Sequence, residues 1–380
     1  MKKALMVSTI IGFLGAFERS DIALLQRMGY EVHCACNCER YIDKKRLEKL
    51  DELKVVKHHV PFARNPFSGT NIRAYGMLLR IMREGGFDLV HCHTPVGGVL
   101  GRLAAHRAHI PRVIYTAHGF HFFKGAPVKN WLLFYPVEKW MSRYTDVLIT
   151  INREDYLLAK ARFSAGHTVR IHGVGIELGQ FSGSGDTGCR REKRRELGLS
   201  DAEQMLLSVG ELDRDKNHRV VLEAMKTLAK EGFRFFIAGV GALEASHKEF
   251  IRENGLEDSV KLLGFRGDIA ELLEAADIYV FPSLFEGLSV ALMEAVAAKV
   301  PVACSQVRGN VDTVVTKESY FSPESVEQVV EVIRRIGCFT EEEKGEMVAR
   351  NYENLQKYRL CEVQKEMGRI YRAVEKGIGR

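Results

Sequence analysis

The chain has 380 residues, 46% hydrophobic and 27% charged, a composition that supports two ordinary globular cores and excludes a disordered chain. Its formal net charge of +6 is modest, with basic residues gathered at 44–46, 102–112 and 190–195. Such a balance suits anionic partners, but no nucleic-acid-binding motif accompanies it, and any one cluster reads equally well as solvated surface charge.

Residues 1–17 begin with two lysines and an apolar run, as a signal peptide does. The run continues into Glu18-Arg19-Ser20-Asp21 without a small-residue cleavage site, so residues 4–9 are predicted to be the buried first strand of a parallel sheet. Gly12-Phe13-Leu14-Gly15 follows that strand. Its glycines, Gly15 in particular, would let backbone amides approach a phosphate or an acceptor, although a plain strand-to-helix turn explains them equally well. The segment is not G-x-G-x-x-G, so no nicotinamide cofactor is expected.

Further strands are predicted at 32–35, 89–91, 113–116, 147–150 and 169–171, with amphipathic helical stretches such as 21–28 and 70–83 between them. Cys34, Cys36 and Cys38 alternate on one strand beside His33, but no second pair of ligands follows. The other cysteines, at 92, 189, 304, 338 and 361, are scattered; reduced thiols are expected, with no disulfide framework and no metal. His91-x-His93 begins like a metallohydrolase H-x-H-x-D set, yet Pro95 stands where the aspartate belongs, so the pair is read as acceptor-side or structural. Residues 129–143 hold both tryptophans, Trp131 and Trp140, among Lys and Arg. That mixture fits either a helix packed into the domain or one resting on an anionic lipid surface.

A glycine- and serine-rich stretch near residue 180 interrupts the rhythm, which restarts with strands predicted at 205–209, 235–238, 260–263, 278–281 and 302–304. The chain is therefore divided into a first Rossmann-like domain (1–175), a linker (176–188), a second Rossmann-like domain (189–355) and a C-terminal helix (356–380) expected to return to the first domain. No stretch is long and apolar enough to span a membrane. In open α/β sheets ligands bind beyond the carboxyl ends of the strands, so chemistry is expected just after each apolar run.

The densest such place is Phe281-Pro282-Ser283-Leu284-Phe285-Glu286-Gly287-Leu288-Ser289-Val290, with Glu294 eight residues beyond Glu286. A helix is expected to open near Leu288 or Ser289. The backbone N–H groups of Leu288, Ser289 and Val290 would then receive a phosphate, with Glu286 and Glu294 flanking it to accept hydrogen bonds from sugar and ribose hydroxyls.

With Gly264-Phe265, Pro301-Val302-Ala303 and Arg308-Gly309-Asn310, this stretch resembles the E-x7-E region of the retaining family-4 glycosyltransferases. In the first half, His91-Cys92-His93-Thr94-Pro95, Tyr115-Thr116-Ala117-His118-Gly119-Phe120-His121-Phe122 and Leu148-Ile149-Thr150-Ile151-Asn152-Arg153-Glu154-Asp155 resemble its capsule and exopolysaccharide branch. The resemblance runs over nearly the whole chain. It implies a GT-B-like α/β fold, two doubly wound Rossmann-like domains facing across a cleft, the second holding a nucleotide sugar and the first an acceptor.

Carried over position by position, it implies that Glu286 contacts the donor sugar, Glu294 the ribose, Lys216 the diphosphate, and the backbone at Phe265-Arg266 the nucleobase. His118 would hydrogen-bond a sugar hydroxyl and shape the reaction centre without serving as general base; His121 lies near enough to be confused with it. One departure stands out: the family commonly has arginine directly after the glycine at 210, where this chain has Glu211, and Arg214 is the candidate to supply that charge. The expected function is metal-independent, cofactor-free, retaining transfer from a nucleotide sugar, UDP-linked by expectation, to a glycan or polyprenyl-diphosphate-linked acceptor. The expected place is the cytoplasm, with peripheral association at the inner membrane face allowed. A non-catalytic sugar-nucleotide-binding partner and a sugar-nucleotide epimerase on the same architecture are the alternatives.

Overall fold

The computed structural model describes residues 1–39, 44–181 and 187–377; the side chains of the basic cluster at 44–46 and linker residues 182–186 lie outside it. The chain divides into two compact units, Met1–Gly175 with Leu360–Arg380, and Ile176–Arg359.

The first unit has seven parallel strands: β1 (Lys2–Ile10), β2 (Tyr30–Asn37), β3 (Val56–His59), β4 (Leu89–His93), β5 (Val113–Ala117), β6 (Val147–Thr150) and β7 (His167–Arg170). Their order is β3-β2-β1-β4-β5-β6-β7, so the winding reverses between β1 and β4. Alternate residues build one core face, where Leu5, Val7, Val90, Cys92, Tyr115 and Leu148 meet helix residues Ala74, Leu78 and Met82. The edge strand β3, sequence VKHH, was not expected, because it has no apolar run and is exposed or half-buried.

The glycine segment after β1 is not a loop. The chain turns helical at Ile11 and widens into a π-helical turn over Leu14–Glu18, burying Leu14, Gly15 and Glu18. Such turns often sit at functional sites, and this one carries a carboxylate inward. Gly15 is accordingly enclosed within a helix, where the diphosphate role expected of a loop glycine has no support. Arg102, counted above with surface charge, is also buried. Its guanidinium lies 3.8 Å from the Tyr115 ring centroid and its Nη2 is 2.7 Å from Glu138 Oε2.

The helix Leu360–Glu375 belongs to this unit and buries Val363, Met367, Tyr371 and Val374. Arg112 binds its last carbonyls, with Nε 3.0 Å from Val374 O and Nη2 3.2 Å from Glu375 O, which satisfies acceptors a helix end leaves free.

The second unit repeats the plan with β8 (Gln204–Val209), β9 (Phe233–Ala238), β10 (Val260–Gly264), β11 (Ile278–Phe281), β12 (Val302–Ser305) and β13 (Tyr320–Phe321). Their order is β10-β9-β8-β11-β12-β13, which puts the reversal between β8 and β11. Period-two alternation splits its core: Leu206, Phe235, Ile237, Ile278 and Val280 face one helix layer, while Met205, Leu207, Phe236, Tyr279 and Phe281 face the other. Within the expected linker, Ile176 and Leu178 are buried in this second core and a helix begins at Thr187. The basic cluster 190–195 is anchored here, since Arg190 and Arg194 both pair with Asp277 at 2.5 and 2.9 Å.

Candidate active site

Each unit gathers polar side chains at the carboxyl ends of strands around its reversal point, where doubly wound sheets bind ligands: after β1, β4 and β5 in the first unit and after β8 and β11 in the second. In the first unit β4 presents His91 and His93 on one face, and β5 runs beside it with Cα register His93–Thr116. Two residues beyond Thr116 the chain reaches His118. Gly119 follows with φ +131°, a conformation that favours glycine. The turn is fixed by the Phe120 N–H donating to Asp155 Oδ2 at 2.9 Å; Asp155 is itself held by Asn152, whose Nδ2 lies 2.8 Å from the same oxygen.

This brings His93 Nδ1 to 3.3 Å from His118 Nε2 and 3.4 Å from Glu18 Oε1, with His118 Nε2 3.6 Å from that oxygen. His91 belongs to a different network. Its Nδ1 is 2.9 Å from the Tyr371 hydroxyl, which donates to Asp21 Oδ2 at 3.2 Å, and its Nε2 is 2.8 Å from Thr116 Oγ1.

Burial holds this cluster near neutrality. Desolvation pushes His118 down to about 4 and His91 down to about 3, and lowers His93 well below the usual histidine range. Desolvation also raises Glu18, with help from the Asp21 charge, and lifts Asp21 to about 7. An open pocket borders the cluster, lined among others by Glu18, Asp21, Thr116 and His118. His121 lies outside the cluster, exposed, with its ring centroid 5.0 Å from that of Phe134.

In the second unit β8 and β9 end in glycines that touch: a Cβ on Gly239 would fall 1.8 Å from Gly210 O. The loop after Gly210 is closed by the Lys216 N–H donating to Asp213 Oδ1 at 2.8 Å. Asn217 then adopts φ +55° and ties the loop down, its Nδ2 reaching Pro282 O at 3.1 Å and Pro323 O at 2.8 Å. Lys216 Nζ is thereby placed 2.5 Å from Glu286 Oε1 and 5.2 Å from the Phe281 ring centroid. The Glu286 backbone is held from the other side, where Arg308 Nε donates to its carbonyl at 3.1 Å. Gly309, at φ +79°, packs so closely that a Cβ would lie 2.7 Å from Gly287 O.

The helix Val290–Ala297 starts after Ser289, whose hydroxyl accepts from the Leu292 N–H. The donors with no intrahelical acceptor are therefore those of Ser289, Val290 and Ala291, one residue later than expected; Leu288 precedes the helix and Ser289 is its cap. Glu294, one turn in, is desolvated and raised to about 7. Phe265 is 83% exposed, whereas the Arg266 side chain is engaged by Asp268 and Glu196. Arg214 is exposed with no hydrogen bond or ion pair among the described residues, and Glu211 is exposed as well.

Sequence reasoning singled out Lys216, Glu286 and His118, and the structure joins the first two directly. It did not find Glu18, a carboxylate buried on the same helical face as Leu14, Ile22 and Leu25. Nor did it separate His93, which joins His118, from His91. Trp131 packs on Phe122 and Tyr135 and donates its indole N–H to Phe123 O at 3.2 Å, so of the two tryptophans only Trp140, 50% exposed, faces outward. Cys36 and Cys38 bring their sulfurs to 3.9 Å, and all eight cysteines are free.

Comparisons with known proteins agree with this geometry. Residues 190–353 match the family model described as glycosyl transferases group 1, and residues 17–152 match the one described as glycosyl transferase 4-like. Over 325 residues the chain is 39% identical to EpsD of Bacillus subtilis (strain 168), named as a glycosyltransferase, covering 84% of this chain and 83% of that one. Over 239 residues it is 30% identical to the UDP-Gal:alpha-D-GlcNAc-diphosphoundecaprenol alpha-1,3-galactosyltransferase of Escherichia coli, covering 61% of each chain. The crystal structure of Anabaena HepE in complex with UDP and glucose superposes with a TM-score of 0.76 at 17% identity, covering 98% of this chain and all of that one. The fold is thus the GT-B-like pair of Rossmann-like domains.

Proposed function

The chain belongs to the glycosyl transferases of group 1, and from that premise we propose that it moves a sugar from a UDP-linked donor to a glycan or lipid-diphosphate-linked acceptor in cell-surface polysaccharide synthesis. The observation that carries this reading is the Lys216–Glu286 pair at the reversal point of the second sheet. A departing nucleoside diphosphate gains charge in the transition state, and a preplaced cation stabilises it with little reorganisation. Lys216, with its side chain 26% exposed, can exchange the Glu286 carboxylate for the diphosphate. Glu286 is then released to accept hydrogen bonds from the donor sugar.

The free amides of Val290 and Ala291 add donors for the same phosphates. Glu294 takes the ribose hydroxyls and the backbone at Phe265-Arg266 the base. His118, held neutral, hydrogen-bonds a sugar hydroxyl and polarises the reaction centre without titrating at physiological pH. The leaving phosphate itself receives the acceptor proton on the face it departs from. The anomeric configuration is therefore retained, and Lys216 does the charge neutralisation without a metal. The UDP donor and the lipid-diphosphate acceptor are supported by what the E. coli galactosyltransferase is named for, given its 30% identity to this chain.

A proposed peripheral association with an anionic membrane face is supported by the helix Val128–Met141. It exposes Val128, Leu132, Leu133, Val137 and Trp140, with Lys129 and Lys139 exposed on the same helix and Arg143 just beyond it. Among the described residues no helix is long and apolar enough to cross a membrane. Leu132→Glu is expected to abolish sedimentation with anionic vesicles; unchanged binding removes the membrane part of the reading.

The donor reading is tested by thermal unfolding with millimolar UDP, GDP or NAD beside Lys216→Ala. A ligand at 100 times its dissociation constant stabilises the native state by ~2.7 kcal/mol. A UDP-selective shift that disappears in Lys216→Ala is expected. A GDP-selective shift changes the donor class, and no shift with either overturns the donor site.

A further inference from the structure

The triangle of His93 Nδ1, His118 Nε2 and Glu18 Oε1 holds one long hydrogen bond, between the two imidazoles, and two contacts to the carboxylate that are ion-pair distances only. Its sides are 3.3, 3.4 and 3.6 Å, beyond the usual ~2.7–3.2 Å. Each imidazole nitrogen has one lone pair or one N–H directed in the ring plane, so it cannot serve two neighbours at once.

The same triangle fits an ion. A tetrahedral zinc with nitrogen and oxygen arms of ~2.0–2.1 Å sets its ligand atoms ~3.3–3.4 Å apart, the edge being about 1.63 times the arm. Two imidazoles and one carboxylate are also the ligand types zinc takes when a fourth position is left open. Glu18 and His93 are buried, while the His118 side chain is 19% exposed and, with Glu18, borders the pocket described above. That pocket supplies both an entry path and the fourth position.

We propose that Glu18, His93 and His118 form a tetrahedral site for one divalent transition-metal ion of the zinc type, and that the bound ion is a brake and not a cofactor. An ion on His118 Nε2 consumes the lone pair that would otherwise face a sugar hydroxyl. The site stands on the triangle alone; only the brake rests on the role proposed for His118.

The test is titration of the metal-free full chain with Co2+, followed by its visible spectrum. One equivalent is expected to give the intense d–d bands of a tetrahedral ion, displaced by Zn2+. Glu18→Gln and His93→Gln, each checked by its unfolding transition, are expected to weaken that binding by at least the ~10–100-fold that loss of an outer-shell partner costs. Cys38→Ser is expected to leave the bands unchanged.

Absence of a saturable tetrahedral band in the unmodified chain overturns the site. So does a sulfur-to-cobalt charge-transfer band that survives Glu18→Gln and is lost in Cys38→Ser, since it would move the ion to the cysteines after β2. If cobalt binds as expected but stoichiometric Zn2+ leaves turnover unchanged, the brake fails, whereas a chelator-reversible loss of turnover supports it. The donor-site reading is untouched by either result, because UDP binding at Lys216 is measured separately.

Discussion

The two units share a layering and a place for their polar groups, yet they treat charge in opposite ways. In the second, Lys216 and Glu286 form a 2.5 Å ion pair at a loop, their side chains 26% and 11% exposed. In the first, His91 and His93 are buried and His118 is largely so, and desolvation holds all three below the ordinary histidine range, beside a carboxyl that burial pushes well above its own. Such a pair suits the incoming dianion proposed above, because the cation is already in place and its counter-charge would be displaced on binding. A neutral imidazole suits a hydroxyl, because it can accept or donate without adding a charge the buried cluster could not stabilise.

The sharpest way to break this contrast is Lys216→Ala. If Lys216 is the diphosphate cation, turnover falls by about 10²–10³, the usual cost of removing one preorganised charge-stabilising donor. Lys216→Arg is expected to recover part of it. A fall of only a few-fold in saturating-donor turnover would show that the charge is met elsewhere.

His118→Ala ranks next. Loss of one hydrogen bond realised at the reaction centre costs ~1.5–3 kcal/mol, or about 10–100-fold in turnover. Because burial lowers His118 to about 4, the pH–rate profile from pH 5.5 to 8 is expected to carry no limb belonging to this residue. A limb near the ordinary histidine value that vanishes in the variant would break the contrast outright.

Glu294→Gln tests both affinity and stability. Ribose hydrogen bonds weaken, so nucleotide affinity is expected to fall about 10-fold. Stability moves the other way. The carboxyl is raised from 4.5 to about 7 by desolvation, so the folded state binds its proton more tightly than the unfolded state does. Its contribution is therefore fully present below pH 4.5 and is lost as pH rises to about 7, where the ionised group sits desolvated. The amide removes that loss: the unliganded variant is expected to gain on the order of 1–3 kcal/mol at pH 8, and nothing at pH 4, by denaturant unfolding.

The sequence announced one unit's site more openly than the other's. Lys216, Glu286 and Glu294 follow apolar runs that read as strands, and strand ends in such sheets are where ligands bind, so their places were legible. The fold was legible for much the same reason: most of the eleven expected strands are buried apolar segments, although β7 (HTVR) and β10 are largely half-buried. The two missed strands lack that signal, β3 being VKHH at an edge and β13 only two residues long. Glu18 was illegible because a carboxylate beside Arg19, Ser20 and Asp21 reads as surface charge, although it lies four residues before Ile22 and seven before Leu25, on the face those residues bury. Arg102 looked like surface charge because its partner, Glu138, lies 36 residues on, beyond any local pattern.

Arg214 gives the smallest expected effect and the finest test. The chain has Glu211 where the resembling family has a second cation, and Arg214 is exposed without an ion-pair partner among the described residues, free to turn toward an anion. An exposed pair is worth ~0.2–1 kcal/mol and is screened over a Debye length of ~8 Å at physiological salt. Arg214→Ala is therefore expected to raise the donor KM by about 2–5-fold at low salt, with the difference shrinking as salt rises and kcat nearly unchanged. Glu211→Arg in the Arg214→Ala background is expected to restore the KM, since it returns a cation to the position the loop's glycine precedes. A loss as large as that of Lys216→Ala, insensitive to salt, would mean that Arg214 is desolvated against the diphosphate; the second unit would then neutralise its anion with two equivalent cations and not with one mobile ion pair.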